Sequence, residues 1–276
     1  MSTKKTAIIL DGKKLAEEIL LQLQTKITND GLKPGLAAIL IGDDSASEIY
    51  VRLKEKAAQK IGINFHKYLS NKSCYQEIDE YELKEMLQFL NQDPATDGIV
   101  LQLPLPKRFN QTEIIKLISP KKDVDGFNGG AIIPPTVAST IELLKAVNMD
   151  LSDKKTLIIA KSDIFTNGME QWLNSELKIK NIKQETFIPT DSNTYDILII
   201  ALGKPLILKK EQVKKSAIVI DIGINKLNDK TVGDVDSEVA KVAGYLSPVP
   251  GGVGPLTVAC LLRNTVELHQ NNKSAS

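Results

Sequence analysis

The chain has 276 residues, of which 42% are hydrophobic and 25% charged, and 35 Lys and Arg against 34 Asp and Glu leave a formal net charge of +1. This composition is typical of a soluble globular protein with one large or two ordinary domains. The charge balance gives no indication of a nucleic-acid partner. The longest apolar runs are too short for a signal peptide or a membrane span, so we expect a cytoplasmic protein with no membrane partner.

Cysteine and histidine are scarce. Cys74 and Cys260 stand far apart without ligand-like neighbours, which predicts buried thiols and neither a disulfide framework nor a metal site. The two histidines are His66 and His269, and we place His269 in a polar C-terminal tail that frays from Asn271 onward. Acid–base chemistry would therefore depend on lysine, carboxylates or a cofactor.

Short apolar runs alternate with helical patterns along the chain, which predicts an α/β class with parallel sheets. The first predicted helix has Ser45 and Glu48 at the spacing of a capping box. Segments rich in Gly and Pro at 128–136 and 247–255 predict breaks between two lobes. The predicted strands are Leu36–Ile41, Gly98–Leu103, Thr156–Ile159, Asp196–Ala201 and Ala217–Asp221, and the predicted helices are Ser45–Ile61 and Thr257–Gln270.

Tyr50 and Lys54 lie four positions apart on the predicted helix, so their side chains share a face. That face continues through Ala57 and Ile61, and a lysine held there loses hydration, which lowers its pKa. The alternative is a solvated lysine whose stem covers apolar surface. Spacing alone favours the alternative.

Two further segments carry polar candidates. Gln102 interrupts an apolar strand near its C-terminal end, where open α/β sheets bind ligands, and a structural partner is as good an explanation as a ligand. In an extended segment Asp123 and Asp125 would project to the same side. They are too few for a calcium site, and either a heterocyclic ligand or a solvated turn explains them.

The second lobe lacks a glycine-rich dinucleotide motif. Its first strand is followed by the sequence AKSDIFTNG, in which Lys161 and Ser162 can still bind phosphate by charge and hydroxyl. The loop SPVPGGVGP combines glycines, which permit close approach to a planar ligand, with prolines that fix its shape. From the residues alone, the chain is a two-lobed α/β enzyme.

Several strings, in order along the chain, resemble the methylenetetrahydrofolate dehydrogenase/methenyltetrahydrofolate cyclohydrolase family of the FolD type. The resemblance spans nearly the whole chain. The strings are YVRLKEKAAQKIGI (Tyr50–Ile63), DGIVLQLPLP (Asp97–Pro106), PKKDVDGF (Pro120–Phe127), ALGKP (Ala201–Pro205), VIDIGIN (Val219–Asn225), GDV (Gly233–Val235) and PVPGGVGPLT (Pro248–Thr257).

The resemblance implies an oxidation of 5,10-methylenetetrahydrofolate with NADP (NAD being possible), followed by hydrolysis to 10-formyltetrahydrofolate. Tyr50 would stack on the folate ring, Lys54 would shuttle protons, Gln102 would hydrogen-bond Lys54, and Asp125 would hold the pterin edge. Leu101 and Leu103 would contact folate, and the loop of Pro250, Gly251, Gly252, Val253 and Gly254 would line the cleft where folate meets nicotinamide. The cofactor would contact Ala160, Lys161, Ser162, Thr190 and Ile224.

The resemblance also implies two lobes around a cleft. Residues 1–127 and 256–276 would form the folate-binding catalytic lobe, and residues 128–255 a Rossmann-like nucleotide-binding lobe. A homodimer is expected.

Departures from the family pattern cluster in the second lobe. The usual Gly-Arg-Ser is Ala160, Lys161 and Ser162 here, and the usual Ile-Val-Gly is Ile164, Phe165 and Thr166. The usual Pro-Cys-Thr-Pro-x-Gly reads PPTVAS over 134–139, the segment before it is shorter, and the Thr-rich strand is only loosely represented at Thr186–Thr190. The alternative hypothesis is therefore a cyclohydrolase whose dehydrogenase activity is weakened or lost. A third is a folate-binding protein without catalysis.

Overall fold

A computed structural model describes residues 6–70, 78–129 and 132–274 of the chain. Cys74 lies outside these ranges. The α-helices of the described residues are α1 (Gly12–Asn29), α2 (Ser45–Ile61), α3 (Glu80–Gln92), α4 (Gln111–Lys116), α5 (Pro135–Lys145), α6 (Asp163–Leu177) and α7 (Val253–Ser274). The strands are β1 (Ile8–Ile9), β2 (Gly35–Ile41), β3 (Asn64–Ser70), β4 (Gly98–Leu101), β5 (Thr156–Ala160), β6 (Ile182–Glu185), β7 (Ile197–Ala201), β8 (Ile218–Asp221), β9 (Asn225–Leu227), β10 (Lys230–Val232) and β11 (Tyr245–Leu246).

The described residues divide into two compact units. Those in 17–135 and from 258 onward contain the sheet β3-β2-β4, and we call them the three-stranded unit. Those up to 16 and in 136–257 contain the sheet β1-β11-β8-β7-β5-β6 and form the six-stranded unit. Residues 6–16 were expected in the folate-binding lobe, but β1 pairs in parallel with β11 and so joins the six-stranded sheet.

Both main sheets are parallel, as the unbroken apolar strands predict. All seven residues of β2 are buried, because alternate side chains enter two different cores. Leu36, Ala38 and Leu40 pack with apolar residues of α1, α2 and α7. Ala37, Ile39 and Ile41 pack on the opposite face with α3. The α/β class is confirmed.

Several element boundaries differ from the prediction. The strand predicted over Gly98–Leu103 ends at Leu101, and the helix predicted over Thr257–Gln270 extends from Val253 to Ser274. Residues 271–274 are therefore helical rather than frayed. Among the described residues, none of the helices combines the length and apolarity needed to cross a membrane.

Candidate functional site

Helix α2 presents Tyr50 and Lys54. Its N-cap is Asp44, whose carboxylate accepts a hydrogen bond from Ser47 N at 2.8 Å, so the predicted capping box at Ser45 is wrong. Gly62 ends the helix in a left-handed conformation with φ of 90°. Between these caps, one face of α2 is buried in the core beside β2, which fixes the rotation of the helix about its axis.

Lys54 is buried, with 8% of its surface exposed. Its Nζ donates a hydrogen bond to Gln102 Oε1 at 3.0 Å. The solvated-lysine alternative is therefore wrong. Tyr50 lies one turn earlier on the same helix and is half-buried.

Gln102 stands directly after β4, where its backbone N–H extends the sheet by donating to Ile39 O at 2.8 Å. Its side-chain Nε2 donates to Leu103 O at 2.9 Å. Because the NH₂ end of the amide is held by this bond, Oε1 is directed to Lys54. Leu101 is buried at the end of β4, and Leu103 is half-buried. Gln102 is thus a partner of the lysine at the carboxyl end of a parallel strand.

The loop after residue 122 is a turn and is not extended. Asp123 is 1% exposed and accepts hydrogen bonds from the backbone N–H groups of Asp125, Gly126 and Asn128 at 3.1, 3.0 and 2.8 Å. Asp123 therefore holds the loop in shape; the expectation of an extended segment is wrong, and so is the alternative that the Asp123 carboxylate lies in solvent. Asp125 interacts electrostatically with Lys54.

Burial and opposite charge shift the pKa values in this cluster in opposing ways. Burial lowers the pKa of Lys54, and the carboxylate of Asp125 partly offsets that effect. Burial raises the pKa of Asp125 to about 6, against the opposing effect of Lys54. Burial also raises the pKa of the Tyr50 hydroxyl. The site therefore holds an amine and a carboxyl group whose proton affinities have moved toward neutrality, as acid–base chemistry needs.

The loop Pro250–Gly254 belongs to the six-stranded unit and leads into α7. It meets the start of α1 closely: Lys13 N donates to Gly251 O at 3.0 Å, and a Cβ at Gly12 would lie 1.9 Å from Gly252 O. Gly251 has a φ of +109°, which favours glycine. Gly12 must therefore lack a side chain for α1 to approach the loop, and Gly252 has no room for one either, because a Cβ on it would lie 2.6 Å from Pro248 O.

The predicted cofactor residues lie along the carboxyl edge of the six-stranded sheet. Ala160 ends β5 and is buried, whereas Lys161 and Ser162 are exposed. Ser162 is the N-cap of α6, with Oγ accepting from Phe165 N at 3.3 Å. Thr190 and Ile224 are also exposed, Thr190 after β6 and Ile224 after β8.

Sequence reasoning overlooked two buried carboxylates beside this edge. Asp234 accepts hydrogen bonds from the N–H groups of Leu202, Gly203 and Lys204 at 2.6, 2.9 and 2.8 Å, and so shapes the turn after β7. Asp221 accepts from Gly223, Asp234 and Val235 N at 2.9, 3.0 and 2.9 Å. The sequence signal that could have identified them is Asp221 at the end of an apolar strand, followed by Asp234 directly after Gly233.

His269 was misplaced by the sequence analysis. It is 2% exposed on α7, and its Nδ1 lies 2.8 Å from Asp97 Oδ2. The missed signal is the spacing of His269 from Val258, Leu262 and Val266, which are all buried on the same helix. Cys260 is buried, as predicted. Within the described ranges, no group of three His, Cys, Asp or Glu side chains has the arrangement of a metal site.

Comparison with known proteins identifies similar sequences over both parts of the chain. Residues 10–125 match the catalytic domain of tetrahydrofolate dehydrogenase/cyclohydrolase, and residues 134–273 match its NAD(P)-binding domain. The bifunctional protein FolD of Bacillus licheniformis is 42% identical over 279 residues, which cover 95% of this chain and 97% of that protein.

Solved structures agree with these matches. The bifunctional FolD methylenetetrahydrofolate dehydrogenase/cyclohydrolase of Campylobacter jejuni aligns with a TM-score of 0.88 at 36% identity, over 96% of this chain and 99% of that one. The Trypanosoma brucei enzyme, complexed with NADP cofactor and an inhibitor, aligns with a TM-score of 0.87 at 29% identity, over 97% and 99% of the two chains.

Proposed function

The chain belongs to the tetrahydrofolate dehydrogenase/cyclohydrolase family, and from this premise we propose how its residues carry out the two reactions. The chain oxidises 5,10-methylenetetrahydrofolate with NADP and hydrolyses the methenyl product to 10-formyltetrahydrofolate. The observation that carries the residue assignment is that buried Lys54 interacts with half-buried Gln102 and Asp125 beside Tyr50. Such a cluster can bind a flat heterocycle and move a proton at its edge.

Tyr50 and Asp125 bind the pterin ring in this proposal. The half-buried ring of Tyr50 offers a face for stacking. The carboxylate of Asp125 accepts hydrogen bonds from the N–H groups of the pterin edge. These contacts place the one-carbon bridge near Lys54, one helical turn from Tyr50.

Lys54 carries the proton during hydrolysis. Water adds to the methenyl carbon and loses one proton to the neutral amine of Lys54. The bond from this carbon to N5 then breaks as the remaining hydroxyl proton moves to N5, leaving the formyl group on N10. Burial favours the neutral amine that this step needs, and Gln102 Oε1 holds Nζ in place.

The six-stranded unit fits an NADP molecule. The order of its strands reverses around β5, which has β6 on one side and β7 on the other, and open α/β sheets bind ligands at such a point. Exposed Lys161 and Ser162 at the start of the 15-residue helix α6 would hold phosphate, with Thr190 and Ile224 nearby on the same edge. When bound, NADP supplies a hydride acceptor.

No observation in the described residues favours the alternative of a cyclohydrolase that has lost its dehydrogenase activity. Despite Ala160 and Thr166, the β5–α6–β6 unit is complete, and Ser162 still caps the helix. The homodimer and the cytoplasmic location remain proposals that sedimentation and cell fractionation would test.

The test is a pair of assays on purified protein. We expect NADP reduction with methylenetetrahydrofolate and, separately, hydrolysis of methenyltetrahydrofolate. Running the first assay with NAD in place of NADP measures cofactor preference. Hydrolysis without reduction of either cofactor would overturn the bifunctional assignment, and failure of both reactions would revive the non-catalytic folate-binding protein.

A further inference from the structure

Asn264 is a buried polar residue on α7. It is 3% exposed. Its Nδ2 donates one hydrogen bond to Val124 O at 2.9 Å and a second to Ile133 O at 3.0 Å. One amide group therefore ties together two chain segments that flank the loop of Asp125.

The first of these bonds acts on the peptide group that precedes Asp125. Val124 C=O and Asp125 N–H belong to the same planar peptide unit. Asn264 holds its oxygen, and Asp123 Oδ1 accepts from its N–H at 3.1 Å. Because both ends of the plane are held by buried side chains, the plane cannot rotate without breaking a buried hydrogen bond. The backbone from which the Asp125 side chain departs is thereby held in place.

The second hydrogen bond, to Ile133 O, acts on the segment that follows the loop of Asp125. Gly126 has a φ of +69°, and a Cβ on it would lie 3.0 Å from Ile132 O, so the chain at 132–133 runs close beside the start of the loop. Asn264 holds the carbonyl of Ile133 in that position. The same helix carries Thr265, whose Oγ1 donates only within α7, to Leu261 O at 3.1 Å. Asn264 therefore bonds to segments outside α7, whereas its neighbour Thr265 bonds only within the helix.

We propose that Asn264 is a positioning residue for the folate reactions, because it fixes the peptide plane that aims Asp125 at Lys54 and at the pterin. This inference rests on the proposed function of Asp125. Without Asn264, the carboxylate rotates away from Lys54. Lys54 then loses the charge that opposes the effect of burial, so the pKa of the amine falls further.

The experiment compares Asn264→Leu with Thr265→Val, a control at a buried position on the same helix. We measure methenyltetrahydrofolate hydrolysis against pH together with thermal unfolding. In Asn264→Leu we expect kcat to fall about tenfold or more and the ascending limb of the profile to move to lower pH. Thr265→Val should leave the limb in place. Asn264→Ser, which keeps one donor, should lie between the wild type and Asn264→Leu and provides a milder variant if the leucine protein does not fold.

A second readout needs no turnover. The carboxyl carbon of Asp125 is titrated by NMR in wild type and in the variants, and the pKa of the carboxyl group should fall from about 6 when the side chain becomes more solvated. A profile and a titration that match those of Thr265→Val would overturn the positioning role. An inactive wild type with a shifted Asp125 titration in Asn264→Ser or Asn264→Leu would instead overturn the proposed function and leave the positioning role supported.

Discussion

Two groups of polar side chains differ in the kind of partner that they contact. In the six-stranded unit, Asp221 and Asp234 together accept six backbone N–H hydrogen bonds, and each carboxylate shapes a turn at the edge of the sheet. In the three-stranded unit, Lys54 interacts with the side chains of Gln102 and Asp125. Carboxylates that are saturated by backbone donors act as scaffold, whereas side chains that face each other can exchange partners with a ligand.

The pKa values show why burial alone does not separate the two groups. Burial raises the pKa of both Asp125 and Asp221 to about 6. For Asp221 three backbone N–H groups oppose that rise, and for Asp125 the charge of Lys54 does. The partners, rather than the size of the shift, distinguish a scaffold from a reactive site.

The largest effect is expected from Lys54→Met. Loss of the amine should lower the rate of methenyltetrahydrofolate hydrolysis by about 10²- to 10⁴-fold, with little loss of stability because the methionine stem fills the same space. Stopped-flow loss of methenyl absorbance measures the rate. Lys56→Met, at an exposed position on the same helix, is the control. Equal hydrolysis rates in Lys54→Met and Lys56→Met would show that Lys54 does not carry the proton.

Asp234→Asn should lower stability and NADP binding but leave the rate of hydrolysis unchanged, the opposite of Lys54→Met. The amide loses one acceptor oxygen among four donors, namely three backbone N–H groups and Asn225 Nδ2. We expect destabilisation of about 2–3 kcal/mol and weaker NADP binding, whereas kcat for hydrolysis is unchanged. Calorimetry of NADP binding and thermal unfolding measure these effects. A hydrolysis defect as large as that of Lys54→Met would contradict the assignment of Asp234 to the scaffold.

Gln102→Glu changes the charge beside Lys54 while keeping the shape. A carboxylate 3.0 Å from Nζ, where Oε1 now lies, raises the pKa of the amine. The ascending limb of the hydrolysis profile should therefore move to higher pH, with a fall of about tenfold in rate at neutral pH. Gln59→Glu, exposed on α2, controls for added charge. An unmoved limb would show that Gln102 does not set the proton affinity of Lys54.

The smallest expected effect is the change that Asp125→Asn makes to the pH dependence of the free energy of unfolding. The carboxyl pKa is raised in the folded protein to about 6, so the stability that this group contributes is present below its ordinary pKa and is lost as pH rises through about 6. The asparagine variant should lack this decline, which we expect to be about 1 kcal/mol for a partly exposed group. Urea unfolding at a series of pH values measures it, with Asp30→Asn, at an exposed position, as control. A decline that persists in Asp125→Asn would assign it to another group.

Local sequence patterns predicted most of the strands of the two parallel sheets and helix α2. Helix α2 begins and ends where predicted, and the apolar strands lie within one or two residues of the predicted bounds, because burial on both faces leaves a continuous apolar run. Tyr50 and Lys54 share a helix face because helical spacing alone determines it.

Contacts that depend on tertiary structure were not predictable. Whether Lys54 is solvated depends on β4 and the loop of Asp125, which are distant in sequence. The roles of Asp123 and Asp234 depend on backbone N–H groups whose direction only the folded turns define. The burial of His269 could have been predicted from its helical spacing, but its partner, Asp97, could not, because it lies 172 residues away.

The most direct test is to titrate the Lys54 amine itself, by NMR of protein labelled at lysine, with Lys54→Met to assign the signal. We predict a pKa below the ordinary value of about 10.4, and a lower one still in Asp125→Asn, because the carboxylate of Asp125 opposes the effect of burial. An amine that titrates at the ordinary value in both proteins would contradict the assignment of Lys54 as the proton carrier.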